Sequence, residues 1–173
     1  STRVDYIKEQ CADYSSLNLA SEAKSLLRVT ESAQQCARDI WYLTEKPDDL
    51  YPAAEDVLPH FVENHYLTGL LLLSRDGQIT KSYCKEEALL PRLNKVLTTD
   101  SLLDVADHPK KTYAVRLVCG DDSFLDIAAS AHEGADCIVV AFYHTPAEYV
   151  HTYKLSYQHL VSGFHIATDG TLA

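Results

Sequence analysis

The sequence predicts an α+β fold: one sheet of five antiparallel strands, a long helix ahead of it, and shorter helices in the connections. Three features carry this expectation. Apolar residues recur at three- and four-residue spacing from Val4 to Leu43, which is the period of a helix. Apolar or alternating runs of strand length follow, beginning with Leu67–Ser74. Turns such as Asp76-Gly77 and Gly120-Asp121-Asp122-Ser123 join neighbouring runs, and loops this short connect antiparallel strands.

The first element is the helix. Val4, Ile7, Cys11 and Tyr14 begin an apolar stripe that Ala23, Leu26, Leu27, Ala33, Ala37, Ile40 and Trp41 continue, with neither Pro nor Gly before Pro47. A helix this long is either broken near Ser15-Ser16-Leu17-Asn18 or is a stalk carrying a domain. Pro47 and Pro52 end it, and "AAEDVLPHFVENH" reads as one or two short helices with a boundary or kink at Pro59. Leu67–Ser74 is a continuous apolar run, as in a central strand covered on both faces, and Gln78–Tyr83 is its hairpin partner across Asp76-Gly77.

Leu89, Leu93, Val96 and Leu97 give a helical face, with Pro91 in the first turn and a further short turn at Leu102, Leu103 and Val105. Three strands follow in "TYAVRLVCG", "FLDIAASAH" and "CIVVAFYH". Pro146 opens a last helix with Val150, Tyr153, Tyr157 and Leu160 on one side, and a second Asp-Gly hairpin closes the sequence.

Composition narrows the function. Against 25 Asp and Glu stand 15 Lys and Arg, for a net charge of −10, and the basic residues are scattered. That excludes a nucleic-acid surface and disfavours anionic lipid. No apolar stretch approaches the length of a membrane helix. The five cysteines form no CxxC pair; Cys11 and Cys36, on one helix, stand about 37 Å apart and cannot bridge. They read as small buried hydrophobes. Spacing of the eight histidines suits no metal, no phosphate-cradling loop or nucleophile motif occurs, and no cofactor or catalytic residue is expected. Met is absent even at position 1, which fits a piece of a longer protein.

Each hairpin is preceded by a helix ending in a small-residue pair, Thr68-Gly69 and Ser162-Gly163. This order, with the run from Gly69 through "LLLLSRDGQI" to Ile79, resembles the Cache family of extracellular sensor domains, possibly its double type. The resemblance implies a PAS-like sheet with residues 1–46 as a long N-terminal stalk, 47–155 as the sensor domain, and 156–173 as the start or remnant of a second unit. It also implies an extracytoplasmic ligand-sensing module of a bacterial membrane signal-transduction protein. Its output would be that of a histidine kinase, cyclic-dinucleotide enzyme or chemoreceptor, its partners a small-molecule ligand and a second copy bound through the N-terminal helix. The alternative is a cytoplasmic PAS- or GAF-like dimerisation domain without a small ligand.

Six residues are candidates for ligand contact: Tyr83, Tyr113, Arg116, Asp126, Tyr143 and His144. With Cys119 opposite Phe124, alternation puts Asp126 on one face with Tyr113, Val115, Leu117 and Phe124, and turns Arg116 to the other. A carboxylate on an apolar face demands a partner, and a ligand amine would serve. Amino-acid-binding Cache domains clamp the ligand carboxylate with an aromatic-Arg-aromatic strand; "YAVRLVC" has Tyr113 and Arg116 but lacks the following aromatics. Tyr83, Tyr143 and His144 would line a pocket between the sheet and the helical segment Glu86–His108.

Overall fold

A computed structural model of the chain describes residues 2–45 and 57–150, with the side chains of the first helix described from Ser21 to Leu43. The expected helix beyond Val150, the second hairpin, and the proline-flanked break at 46–56 lie outside the described residues.

The long helix, α1, runs unbroken from Thr2 to Glu45, so the break considered near Ser15–Asn18 is absent. Its 44 residues amount to about 66 Å. The short helix α2, Val57–Asn64, starts ahead of Pro59, which sits in the first turn where its missing N–H costs nothing. The hairpin follows as β1, Gly69–Leu73, and β2, Ile79–Cys84. The helical segment resolves into a short 3₁₀ turn, α3 at Leu90–Leu97 and α4 at Asp100–Leu103. Pro91 lies in the first turn of α3, as expected. The meander is β3, Tyr113–Val118, β4, Phe124–Ser130, and β5, Ile138–Thr145.

The sheet order is β2-β1-β5-β4-β3, and every neighbouring pair is antiparallel. The architecture is α+β with a long N-terminal helix and a five-stranded antiparallel sheet, consistent with a PAS-like fold. β1 lies inside the sheet and is buried along its whole length, which accounts for its uninterrupted leucines. β2 and β3, at the edges, are partly exposed.

Each face of the sheet carries its own core. On one, Val29, Ala33, Cys36, Ala37 and Ile40 of α1 pack with α2 against Leu70, Leu72, Ala128, Val139 and Ala141. Ala128 and Ala141 are direct cross-strand partners, so small residues of the sheet meet small residues of the helix and the two approach closely. On the other face, Leu93, Val96, Leu97 and Leu102 cover Leu71, Leu73, Ile127, Val140 and Phe142. The Phe142 ring packs closely against its partner Gly69: a Cβ there would fall 2.2 Å from Cζ.

The β3–β4 register differs from the expected one. Val118, not Cys119, stands opposite Phe124, so Arg116 faces Asp126 directly. The loop is three residues long: the Asp122 N–H bonds to the Cys119 carbonyl and the Cys119 N–H to that of Ser123. A one-residue slip exchanges the faces of one strand relative to its neighbour. Arg116 and Asp126 therefore share a face, and Tyr113 and Leu117 point to the other, against the assignment made from the sequence.

Candidate functional site

The corrected register brings three of the six candidates into one row. Arg116 on β3, Asp126 on β4 and Tyr143 on β5 are successive cross-strand neighbours. They lie on the face covered by α1, as does Tyr83, which packs at the edge of that core. Tyr113 packs into the core of the opposite face. His144, adjacent to Tyr143, also points to the opposite side, because side chains alternate along a strand.

Asp126 is completely buried and carries three hydrogen bonds. Arg116 donates from Nε to Oδ1 at 2.6 Å and from Nη2 to Oδ2 at 2.9 Å. Ser25 of α1 donates to Oδ2 at 2.5 Å. The paired arginine and the hydroxyl supply what a buried carboxylate demands, so Asp126 has its partners within the chain. The Arg116 guanidinium also lies 4.5 Å from the centre of the Phe124 ring, an attractive cation–π contact.

Beside this cluster, one helical turn on from Ser25, Arg28 stacks 4.6 Å over the Tyr143 ring. Its Nη1 donates to the carbonyls of His65, at 3.0 Å, and Tyr66, at 3.2 Å. Those carbonyls follow the C-terminus of α2, where a cation is favoured. The same terminus closes with Leu67 N–H on the Val62 carbonyl and Tyr66 N–H on that of Glu63, and holds Tyr66 at φ 54°. Arg28 thus joins α1, α2 and β5.

Sequence reasoning missed Ser25 and Arg28. A signal was present for Ser25: with Val29, Ser32 and Cys36 it forms a four-three-four spacing, which put two serines on the core-facing side of an apolar helix. Ser32 is indeed buried.

His144 lies on the face covered by the helical segment. Its side chain is 10% exposed, and Nδ1 is 2.9 Å from Oε2 of Glu86. Despite this proximity, neither ring nitrogen has a well-aligned hydrogen bond. The stretch before α3 thus lies beside β5.

Three of the described cysteines, Cys36, Cys84 and Cys137, have thiols held above the ordinary range. Burial, with Asp39 adding to it, pushes the Cys36 thiol up to about 12. Burial also raises Cys84 and Cys137, the latter helped by Asp136. Cys36, Cys84, Cys119 and Cys137 are free thiols. Among the described residues, no group of three or more His, Cys, Asp or Glu could hold a metal ion.

Chemically, the row is a fastening. Ser25 donates to a carboxylate that an arginine already neutralises, so no base is placed to take its proton. The arrangement ties α1 to the centre and far edge of the sheet. Among the described residues no helix is long and apolar enough to cross a membrane. The chain matches no family model, no curated protein and no solved structure in these comparisons.

Proposed function

We propose that the chain is a ligand-sensing module of a membrane signal-transduction protein, working on the extracytoplasmic side, with α1 as the element that reports the ligand. The observation that carries this reading is the polar fastening: Ser25 to Asp126 and Arg116, with Arg28 on Tyr143 beside it. A shift of β4 or β5 is transmitted to α1 through directional bonds rather than through apolar contact alone. The ligand would enter between the sheet and the segment Glu86–His108, where His144 and Glu86 supply a polar spot in an otherwise apolar layer. It must bind one placement of α1 better than another, since only differential affinity shifts an equilibrium.

A thermal-shift screen across amino acids, other carboxylates and amines tests this. A true ligand at 100 times its dissociation constant stabilises by about 2.7 kcal/mol. Its effect should be lost in the Ser25→Ala/Arg28→Ala variant when α1 movement is read by a label on the helix, while binding persists. A screen without any shift rejects the reading. The second reading, a PAS-like interaction domain without a small ligand, is favoured by one feature: Phe142, seated on Gly69, fills the space beneath α3 with the protein's own side chains. A negative screen selects it.

A further inference from the structure

The side of α1 turned away from the sheet carries a stripe that is complementary to itself. Leu27, Glu31, Arg38 and Tyr42 are exposed there, on the opposite side of the helix from buried Val29, Ala33, Cys36, Ala37 and Ile40. Leu27 and Tyr42 are 58% and 55% exposed, large apolar groups on a helix whose other face is already covered. Glu31 and Arg38 form no ion pair among the described residues; Arg38 donates to the side-chain oxygen of Gln35, at 2.7 Å.

The order of these residues has a centre. Leu27 and Tyr42 are equidistant from the midpoint between Gln34 and Gln35, and so are Glu31 and Arg38. Seven residues out from Glu31 and from Arg38 the sequence places Lys24 and Glu45, again opposite in charge. A two-fold axis through that midpoint therefore sets Glu31 against Arg38 of a second copy, and Leu27 against Tyr42 of a second copy, each contact occurring twice. Parallel pairing in register would instead oppose glutamate to glutamate and arginine to arginine, which is repulsive.

We propose that α1 pairs antiparallel with α1 of a second copy of this chain through the stripe Leu27–Glu31–Arg38–Tyr42. The inference goes beyond the sensing reading and does not rest on it. The pair sends the two N-terminal halves of α1 in opposite directions, so two chains anchored in one bilayer pair this way only with α1 lying along the bilayer plane. Surface charge contacts weaken with salt, and the dimer should weaken with it.

Sedimentation equilibrium of the intact 173-residue chain at low and high salt tests the proposal. A dimer is expected, with Glu31→Arg and Arg38→Glu each raising its dissociation constant about tenfold and the double exchange returning it to the parent value. Both side chains are exposed, so circular-dichroism melts of all variants, taken at concentrations low enough that each is monomeric, should match the parent. A chain that stays monomeric at every attainable concentration overturns the proposal. So do single reversals that leave the dimer unchanged, the result for parallel pairing, and a double exchange that stays as weak as the singles.

Discussion

At the scale of single residues, two hairpin turns with one geometry use glycine differently. Both are three-residue loops: Gly77 N–H bonds to the Ser74 carbonyl as Asp122 N–H does to that of Cys119. The third loop residue is left-handed in each, Gly77 at φ 88° and Asp122 at φ 66°. Gly77 is required twice over, since a Cβ there would also lie 2.8 Å from the Leu97 carbonyl oxygen. In the second turn the glycine stands two residues earlier, at Gly120, where the backbone is not left-handed and a Cβ meets nothing within 4 Å. Moving the glycine should therefore help. Asp122→Gly should stabilise by about 0.5–1 kcal/mol, because Asp tolerates this conformation less well than Gly. Gly120→Ala should add about 0.4–1 kcal/mol by restricting the unfolded chain. Urea midpoints of the single and double variants check both, and a fall in either midpoint contradicts the turn assignment. The misplaced glycine also explains the error of register. Counted as a four-residue turn, Gly120–Ser123 sets Cys119 against Phe124 and separates Arg116 from Asp126; the left-handed Asp122, invisible in composition, shortens the loop by one.

At the scale of elements, helix and strand identity were legible because periodicity is strong: α1 was expected over Val4–Leu43 and spans Thr2–Glu45. The hairpin strands shifted only at their ends, to Gly69–Leu73 and Ile79–Cys84. What stayed hidden was which side of the sheet each helix covers. That is a tertiary choice, and without it the demand of Asp126 for a partner was plain while the partners, Arg116 and Ser25, were not. The joint between α1 and the sheet makes a quantitative prediction. Asp126 is fully buried and the Arg116 side chain 13% exposed, so removing either partner strands the other away from water. Asp126→Asn or Arg116→Met should each cost about 3–5 kcal/mol, whereas Ser25→Ala/Arg116→Met/Asp126→Leu, which removes both charges and the hydroxyl bonded to them, should fall within about 1 kcal/mol of the parent. Ser25→Ala should cost about 1.5–3 kcal/mol, as for a hydrogen bond to a charged group. Equilibrium unfolding decides: single variants costing less than the triple one would show that water reaches the pair.

At the scale of the whole molecule, the contacts divide by the length of chain they close. β3, β4 and β5 pair through short connections, while β1 reaches β5 across the entire helical segment and meander, joining Gly69 to Phe142. α1 lies farther still: Ser25 and Asp126 are 101 residues apart. Closing longer loops costs more chain entropy before any contact rewards it. The meander should therefore form early in folding, the β1–β2 hairpin should add to β5 next, and α1 should dock last. Substitutions on the two sides of this order then separate kinetically. Val29→Ala, at a fully buried site on α1, should cost about 1.5 kcal/mol and appear almost wholly as faster unfolding. Ile127→Val, buried in β4, should cost about 1 kcal/mol and appear largely as slower folding. Stopped-flow folding and unfolding limbs in urea measure both. A slower folding limb for Val29→Ala would place α1 in the folding nucleus instead. The element that docks last is the one whose release leaves the meander paired, and a helix that can part from an intact sheet is what transmission through α1 needs. Native-state hydrogen exchange should accordingly show the α1 amides between Ser25 and Trp41 opening at a lower free energy than those of β4 and β5, and equal protection of all three would count against α1 as the moving part.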